Sequence, residues 1–145
     1  MRLALLALLA PFAVLAACSD PATAPSEPPP APSVTLGGVD LGQPLRAIGT
    51  EPFWNLQVKG TTLVLTRPDE PALTATGAVL AASSGKATWT AEKATPPVVA
   101  TLEAGTCSDG MSDRVYPYKA EVKVGDLVLK GCGSLVEELD KLPKP

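Results

Sequence analysis

From Arg46 onward, apolar and polar residues alternate in short runs broken by Gly, Pro and Asp. Trp54, Leu56 and Val58 alternate with Asn55, Gln57 and Lys59, and beyond Lys59-Gly60 the run resumes at Leu63 and Leu65. A period of two marks a strand with one buried face, so residues 54–65 predict a hairpin. Further apolar runs fall at 73–80, at 87–91 around Trp89 and at 98–102. The clearest alternation sets Tyr118, Ala120, Val122 and Val124 against Lys119, Glu121 and Lys123, followed by Gly125-Asp126 and then Leu127 and Leu129. Glycine supplies the positive φ of a primed turn, so this is a second hairpin. The pattern predicts a mainly β domain, a small antiparallel β-barrel or sandwich of about seven to eight strands. In the tail, Ser134 and Glu137 have capping-box spacing, and Leu135, Leu139 and Leu142 recur at helical intervals before Pro143. A short C-terminal helix closing one end of the β domain is expected.

The first 45 residues follow different rules. Met1-Arg2 is a positive start, and residues 3–17 are uncharged and end in small side chains, the layout of a secretory signal. The run halts at Cys18-Ser19-Asp20, short of the roughly 20 apolar residues that span a bilayer core. Leu15-Ala16-Ala17-Cys18 resembles the lipobox of bacterial lipoproteins. That resemblance implies lipidation of Cys18, with palmitate among its acyl chains, and Ser19 after it implies delivery to the outer membrane. An ordinary secretory signal that happens to end in cysteine is the alternative. Residues 19–33 hold six prolines and no apolar side chain larger than Ala or Pro, so they build no core and read as a spacer. In the polyproline II form the spacer reaches about 45 Å. The expected organisation is a signal at 1–17, lipidated Cys18 and tether at 18–45, and the β domain at 46–145.

Charge and cysteine content narrow the function classes. The chain has 12 basic and 15 acidic residues, and losing Arg2 with the signal leaves 11 against 15, a balance of −4. Nucleic acid is an unsuitable partner, because phosphate binding needs a basic face. The same anionic balance argues against peptidoglycan carboxylates or membrane phosphates as major electrostatic ligands. The chain has no histidine, which removes serine triads and His-based zinc sites. Once Cys18 is set aside for acylation, Cys107 and Cys132 form an even pair, and in an exported chain such a pair reads as a disulfide. A two-thiolate metal site lacks further ligands of the right type. Closing the roughly 26-residue loop stabilises the fold by about 3.5 kcal/mol on the chain-entropy treatment. No metal or cofactor is implied.

Two segments concentrate uncommon residues: Gly49-Thr-Glu-Pro-Phe-Trp54, and Cys107-Ser-Asp-Gly-Met-Ser-Asp-Arg114 running into Tyr116-Pro-Tyr118. Phe53 and Trp54 point to opposite faces of a strand, one toward the core and one outside. Glu51 before Pro52 reads either as a ligand contact or base, or as an acceptor for nearby amides or Arg114. The Asp109-Gly110 step reads as a turn whose carboxylate bonds its own backbone. Calcium spacing is missing there, and Ser112 has no histidine to activate it. Glu51, Phe53, Trp54, Asp109, Ser112 and Arg114 are the candidate binding residues, expected together at one end of the domain with Glu51 facing Arg114.

The motifs Glu51-Pro-Phe-Trp54, Asp109-Gly-Met-Ser112, Tyr116-Pro-Tyr118 and Gly131-Cys132 resemble those of a family of bacterial lipoproteins and periplasmic proteins, over roughly residues 46–133. Members of that family sometimes accompany META-type envelope domains, and the resemblance implies a fold and an address but no reaction. The reading that results is a non-enzymatic, lipid-anchored envelope protein that binds a small ligand or an envelope or host protein, or serves structurally. Two alternatives stand beside it. Inhibition of host c-type lysozyme is one, because Ser83-Ser-Gly-Lys-Ala-Thr-Trp89 and Lys130-Gly131 loosely resemble segments of the membrane-bound lysozyme inhibitors. Glycan hydrolysis by carboxylates alone, drawing on Glu51, Asp109 and Asp113, is the other, although no paired-acid spacing is visible.

Overall fold

The computed structural model describes residues 34–141, so the signal, Cys18, the proline-rich spacer, Leu142 and Pro143 lie outside the described residues. The expected alternation forms strands throughout. After a small hairpin, β1 (Thr35–Leu36) and β2 (Val39–Asp40), come β3 (Leu45–Thr50), β4 (Phe53–Lys59), β5 (Thr62–Thr66) and β6 (Leu73–Ala75). The chain continues through β7 (Val79–Ser83), β8 (Lys86–Ala91), β9 (Val98–Ser108), β10 (Val115–Val124), β11 (Leu127–Leu135) and the helix α1 (Val136–Lys141). Nine strands form one antiparallel sheet in the order β6-β5-β4-β3-β11-β10-β9-β8-β7. Two meanders, β3 to β6 and β7 to β11, thus meet where β11 pairs with β3.

The sheet has to curl, because β6 and β7 lie at its opposite edges yet only Thr76, Gly77 and Ala78 separate them in the chain. Four extended steps from Ala75 to Val79 span at most about 14 Å, so the two edges come together there and the sheet becomes a curled half-barrel. Gly77 takes φ 71°, and the Ala78 amide donates to the Thr61 carbonyl at 2.9 Å, fixing the crossing. This crossing adds one strand to the seven or eight expected, because the apolar run 73–80 looks continuous in sequence but is split between the two edges, and the β1–β2 hairpin adds two more.

The inward face alternates large and small side chains. Trp89 lies opposite Ala100, which lies opposite Val122, which lies opposite Leu129, and all four are buried. Such interdigitation fills the interior, and the void left among Leu56, Trp89, Leu102 and Val122 is about 10 Å³, at most one water's worth of space. The Trp89 indole N–H has no acceptor among the described residues. That costs about 1–3 kcal/mol, comparable to what burying a large apolar side chain returns.

The folded domain begins earlier than Arg46. Gly37 and Gly38 turn the β1–β2 hairpin with φ of 59° and 84°, the primed-turn geometry. Its flanking Leu36 and Leu41 are buried in the core, and the Tyr118 hydroxyl donates to the Leu36 carbonyl at 3.1 Å. Residues 34–45 therefore belong to the β domain and not to a tether. Two leucines among glycines are too sparse to show periodicity, which is why the pattern hid them. At the other terminus Ser134 is not a helix cap: β11 keeps it in the sheet opposite Arg46, and the helix starts at Val136, whose amide donates to the Pro44 carbonyl. Pairing with β3 outcompetes the capping box, and α1 fully buries no residue.

Trp54 ties the central strands together. Its indole lies over Gly49 of β3 and Gly131 of β11, and its N–H donates to the Lys130 carbonyl at 3.2 Å. A methyl group on Gly131 would run into the Ile48 carbonyl and sit 2.9 Å from the Trp54 ring. Gly131→Ala is expected to destabilise the fold by about 3 kcal/mol, as overpacking against backbone does. Gly60, at φ 57° in open space, should lose only about 1 kcal/mol on the same change. Urea unfolding followed by tryptophan fluorescence compares the two; equal losses would contradict the packing role of Gly131.

Candidate functional site

The β3–β4 connection is the two-residue loop Glu51-Pro52, with Thr50 opposite Phe53 and a cis Glu51–Pro52 bond. Strand parity then sends Trp54 inward, 3% exposed, and leaves Phe53 outside at 56%. The second segment reaches the same place by leaving the sheet. Between the pairs Tyr116↔Cys107 and Tyr118↔Ala104, residues 105 and 106 stand against Pro117 alone, a bulge at a residue with no amide to give the ladder. Beyond it the end of the β9–β10 hairpin crosses the outer face of β11.

The disulfide shows how far it crosses. Cys107 on β9 and Cys132 on β11 are joined with Cα atoms 5.6 Å apart, although β10 lies between their strands in the sheet. Second-neighbour strands in a flat sheet stand about 9.5 Å apart, so the hairpin end must fold over. Cys132 shares its face with Lys119 and Ile48, the outer face. Tyr116 and Cys132 are buried at 1%, yet neither belongs to the interior core cluster; the folded-over hairpin covers them. The expected pairing of the two cysteines is thus present.

Asp109 organises the loop at the hairpin tip. Its Oδ1 accepts the amides of Met111 at 3.0 Å and Ser112 at 2.8 Å, and its Oδ2 accepts the hydroxyls of Ser112 at 2.8 Å and Tyr116 at 3.0 Å. The Ser112 hydroxyl in turn accepts the Arg114 amide. Partial burial by itself raises the Asp109 pKa, but the amides of Ser112 and Met111 and the two hydroxyls favour the anion and bring it from 3.8 to about 2. Tyr116 moves the other way: burial, its bond to Asp109 and that carboxylate's charge raise it, while Arg114 beside its hydroxyl acts in opposition. The Thr50 hydroxyl donates to the Asp109 carbonyl at 3.1 Å, joining the tip to the β3–β4 turn.

The two sequence-flagged segments are therefore brought together, and an open groove of about 660 Å³ runs between the outer face of β3, β4 and β5 and this loop. Phe53, Trp54, Asp109, Ser112 and Arg114 line it. Glu51 is exposed at the tip of its turn and is not part of the lining, while Arg114 lies at the Tyr116 hydroxyl. Sequence reasoning missed Arg46, Arg67 and Met111, which also line the groove. The Arg46 Nε donates to Asn55 Oδ1 at 2.7 Å, Asn55 Nδ2 donates to Thr66 Oγ1 at 3.2 Å, and Arg67 pairs with Glu70. Arg46 on β3 and Arg67 just beyond the end of β5 are far from Arg114 in the chain, so no local motif signals them. A second groove of about 660 Å³ lies on the other side of the crossing hairpin, with Lys86, Glu103, Lys119 and Lys130 among its lining.

Because the folded pKa of Asp109 is depressed, its contribution to stability is complete above about pH 4 and is lost as pH falls toward 2. Allowing for solvent screening, that contribution is about 1–2 kcal/mol. Asp109→Asn should be less stable than wild type by this amount near neutral pH, and the gap should close by about pH 2, where the wild-type carboxylate has begun to protonate. Urea unfolding across the acid range measures it; a gap independent of pH would mean that the carboxylate's charge is not what holds the loop. No family model, curated protein or solved structure matches this chain, so its function rests on the chemistry of the site itself.

Proposed function

We propose that this is a lipid-anchored envelope protein, held through Cys18 at the outer membrane and facing the periplasm, that works by binding through the groove between the β3–β5 outer face and the 109–114 loop. The carrying observation is the lining of that groove: Phe53 from the sheet and Met111 from the loop stand 56% and 68% exposed in one concavity. Exposed large apolar side chains beside a concave, polar-rimmed surface favour recognition of a partner. One wall is pre-ordered by the Cys107–Cys132 bridge and the Asp109 bonds, which lowers the entropy that binding must overcome. Catalysis is less well supported. A carboxyl with a pKa of about 2 stays ionised and has no proton to give as a general acid, and the Ser112 hydroxyl is committed to Asp109.

The test places a photoreactive amino acid at position 111 of the full-length chain in intact envelopes, with the exposed Lys93 position on a distant turn as control. A discrete adduct from position 111 and none from 93 is expected, and Cys18→Ser, which removes the acylation thiol and should make the chain blind to globomycin, should abolish it. A folded, membrane-bound chain that yields no adduct at 111, or the same adducts at both positions, would overturn the reading.

Inhibition of c-type lysozyme is a second reading with one observation in its favour: Lys86, from the Ser83–Trp89 segment, and Lys130-Gly131 line the same neighbouring groove. It predicts stoichiometric inhibition of hen lysozyme that is weakened at least tenfold by Lys86→Ala with Lys130→Ala. Full lysozyme activity in excess purified protein removes it.

A further inference from the structure

All three arginines among the described residues, Arg46, Arg67 and Arg114, line the Phe53 groove, and no lysine does. The protein is acidic overall at −3, yet the lining of this groove holds three guanidinium groups and one carboxylate, Asp109. That carboxylate is engaged by four donors of its own loop, Arg67 is ion-paired with Glu70 from outside the lining, and Arg46 meets no carboxylate among the described residues. The separation of arginine from lysine matters because a guanidinium presents a planar fork that matches a carboxylate in two parallel bonds, whereas an ammonium is a point charge. Among the described residues Arg46 is held through its Nε on Asn55, which leaves its two Nη groups as such a fork. Asn55, which holds it, is itself held by Thr66, so the donor is oriented before any ligand arrives.

We infer that the groove takes a short carboxylate-bearing peptide segment, its acidic side chains or terminus bound by the Nη fork of Arg46 and by Arg67, which a ligand carboxylate shares with the exposed Glu70, and an apolar side chain seated between Phe53 and Met111. This inference rests on the binding reading above and adds the class of ligand. A peptide is favoured over an anionic glycan because the apolar contacts offered are a lone exposed phenylalanine and a flexible thioether; methionine surfaces adapt to varied aliphatic side chains. It is favoured over a lipid phosphate because the lining is apolar as well as cationic at the same place, which suits alternating acidic and aliphatic side chains.

The test uses the soluble form of the chain beginning after Cys18 and a fluorescein-labelled peptide of sequence Glu-Glu-Leu-Glu-Glu, read by fluorescence anisotropy. Saturable binding is expected, weakened at least about tenfold when every Glu is replaced by Gln, since a charge-assisted bond is worth roughly that factor or more. Arg46→Gln with Arg67→Gln should give a similar loss while leaving the melting temperature in place, and Phe53→Ala should weaken binding of both peptides. Equal affinity for the Glu and Gln peptides, or undiminished binding by the double arginine variant, overturns the inference. Displacement of the peptide by inorganic phosphate or by phosphatidylglycerol vesicles at lower concentration than by unlabelled peptide also overturns it, in favour of a phosphate ligand, and displacement by oligogalacturonate alone assigns the groove to an acidic glycan. A position-111 adduct from intact envelopes together with no peptide binding leaves the binding reading standing and removes only the ligand class.

Discussion

The curled sheet depends on the junction between β3 and β11, where the two meanders of the chain meet, and Trp54 is the residue that holds this junction. All other strand neighbours in the sheet are consecutive in the chain and are joined by short connections, so their pairing is local. The β3–β11 pairing brings together residues more than eighty positions apart, Leu45 with Leu135 and Ile48 with Cys132, and carries the loop-closure cost of the whole domain. The indole of Trp54 covers Gly49 on one of these strands and Gly131 on the other, and its N–H is satisfied by the backbone next to Gly131. A glycine in a strand is normally a weak point; an aromatic ring laid across two of them recovers the buried area that their missing side chains leave. The Glu-Pro-Phe-Trp and Gly-Cys motifs are thus two halves of one packing unit.

Much of the fold was legible because one-sided burial imposes a period of two, and the hairpins at Lys59-Gly60 and Gly125-Asp126 close where glycine permits them. Less legible were the features that depend on contact at long range. The β1–β2 hairpin buries only Leu36 and Leu41 between glycines and leaves no periodic trace. The capping box at Ser134 was a sound local signal defeated by a tertiary one, the pairing of β11 with β3. Within the site, the turn at Asp109 could be read because its carboxylate serves its own next residues, but the Tyr116 hydroxyl arrives from beyond the bulge at Pro117. Net charge misled most: an acidic total gave no hint that the arginines of the described residues gather in one groove while Lys86, Lys119 and Lys130 line the other.

The folding-over of the β9–β10 hairpin makes the outer surface capable of more than solvation. A strand pair that stayed in the sheet would present an unbroken row of alternating polar side chains. Bent at Pro117 and pinned by Cys107–Cys132, it becomes a wall, and the surface on either side of it becomes a groove. The same wall shelters Tyr116, whose hydroxyl joins Asp109, so the loop tip is ordered by groups that the crossing itself buries.

Small curled β-sheets commonly hold ligands in their interiors, and the packing of this one argues for the outside instead. Trp89, Leu56, Leu102 and Val122 leave about 10 Å³ among them, whereas the two outer grooves are each about 660 Å³. Opening the interior to a ligand of even a few heavy atoms would require removing a large core side chain, at about 3–5 kcal/mol for an aromatic one. The outer grooves need no such loss, because their walls stand apart in the folded protein. Burial therefore divides the molecule into an interior that supplies stability and an outer face that supplies shape, and the disulfide lies between them, fixing the wall to the sheet without entering the core.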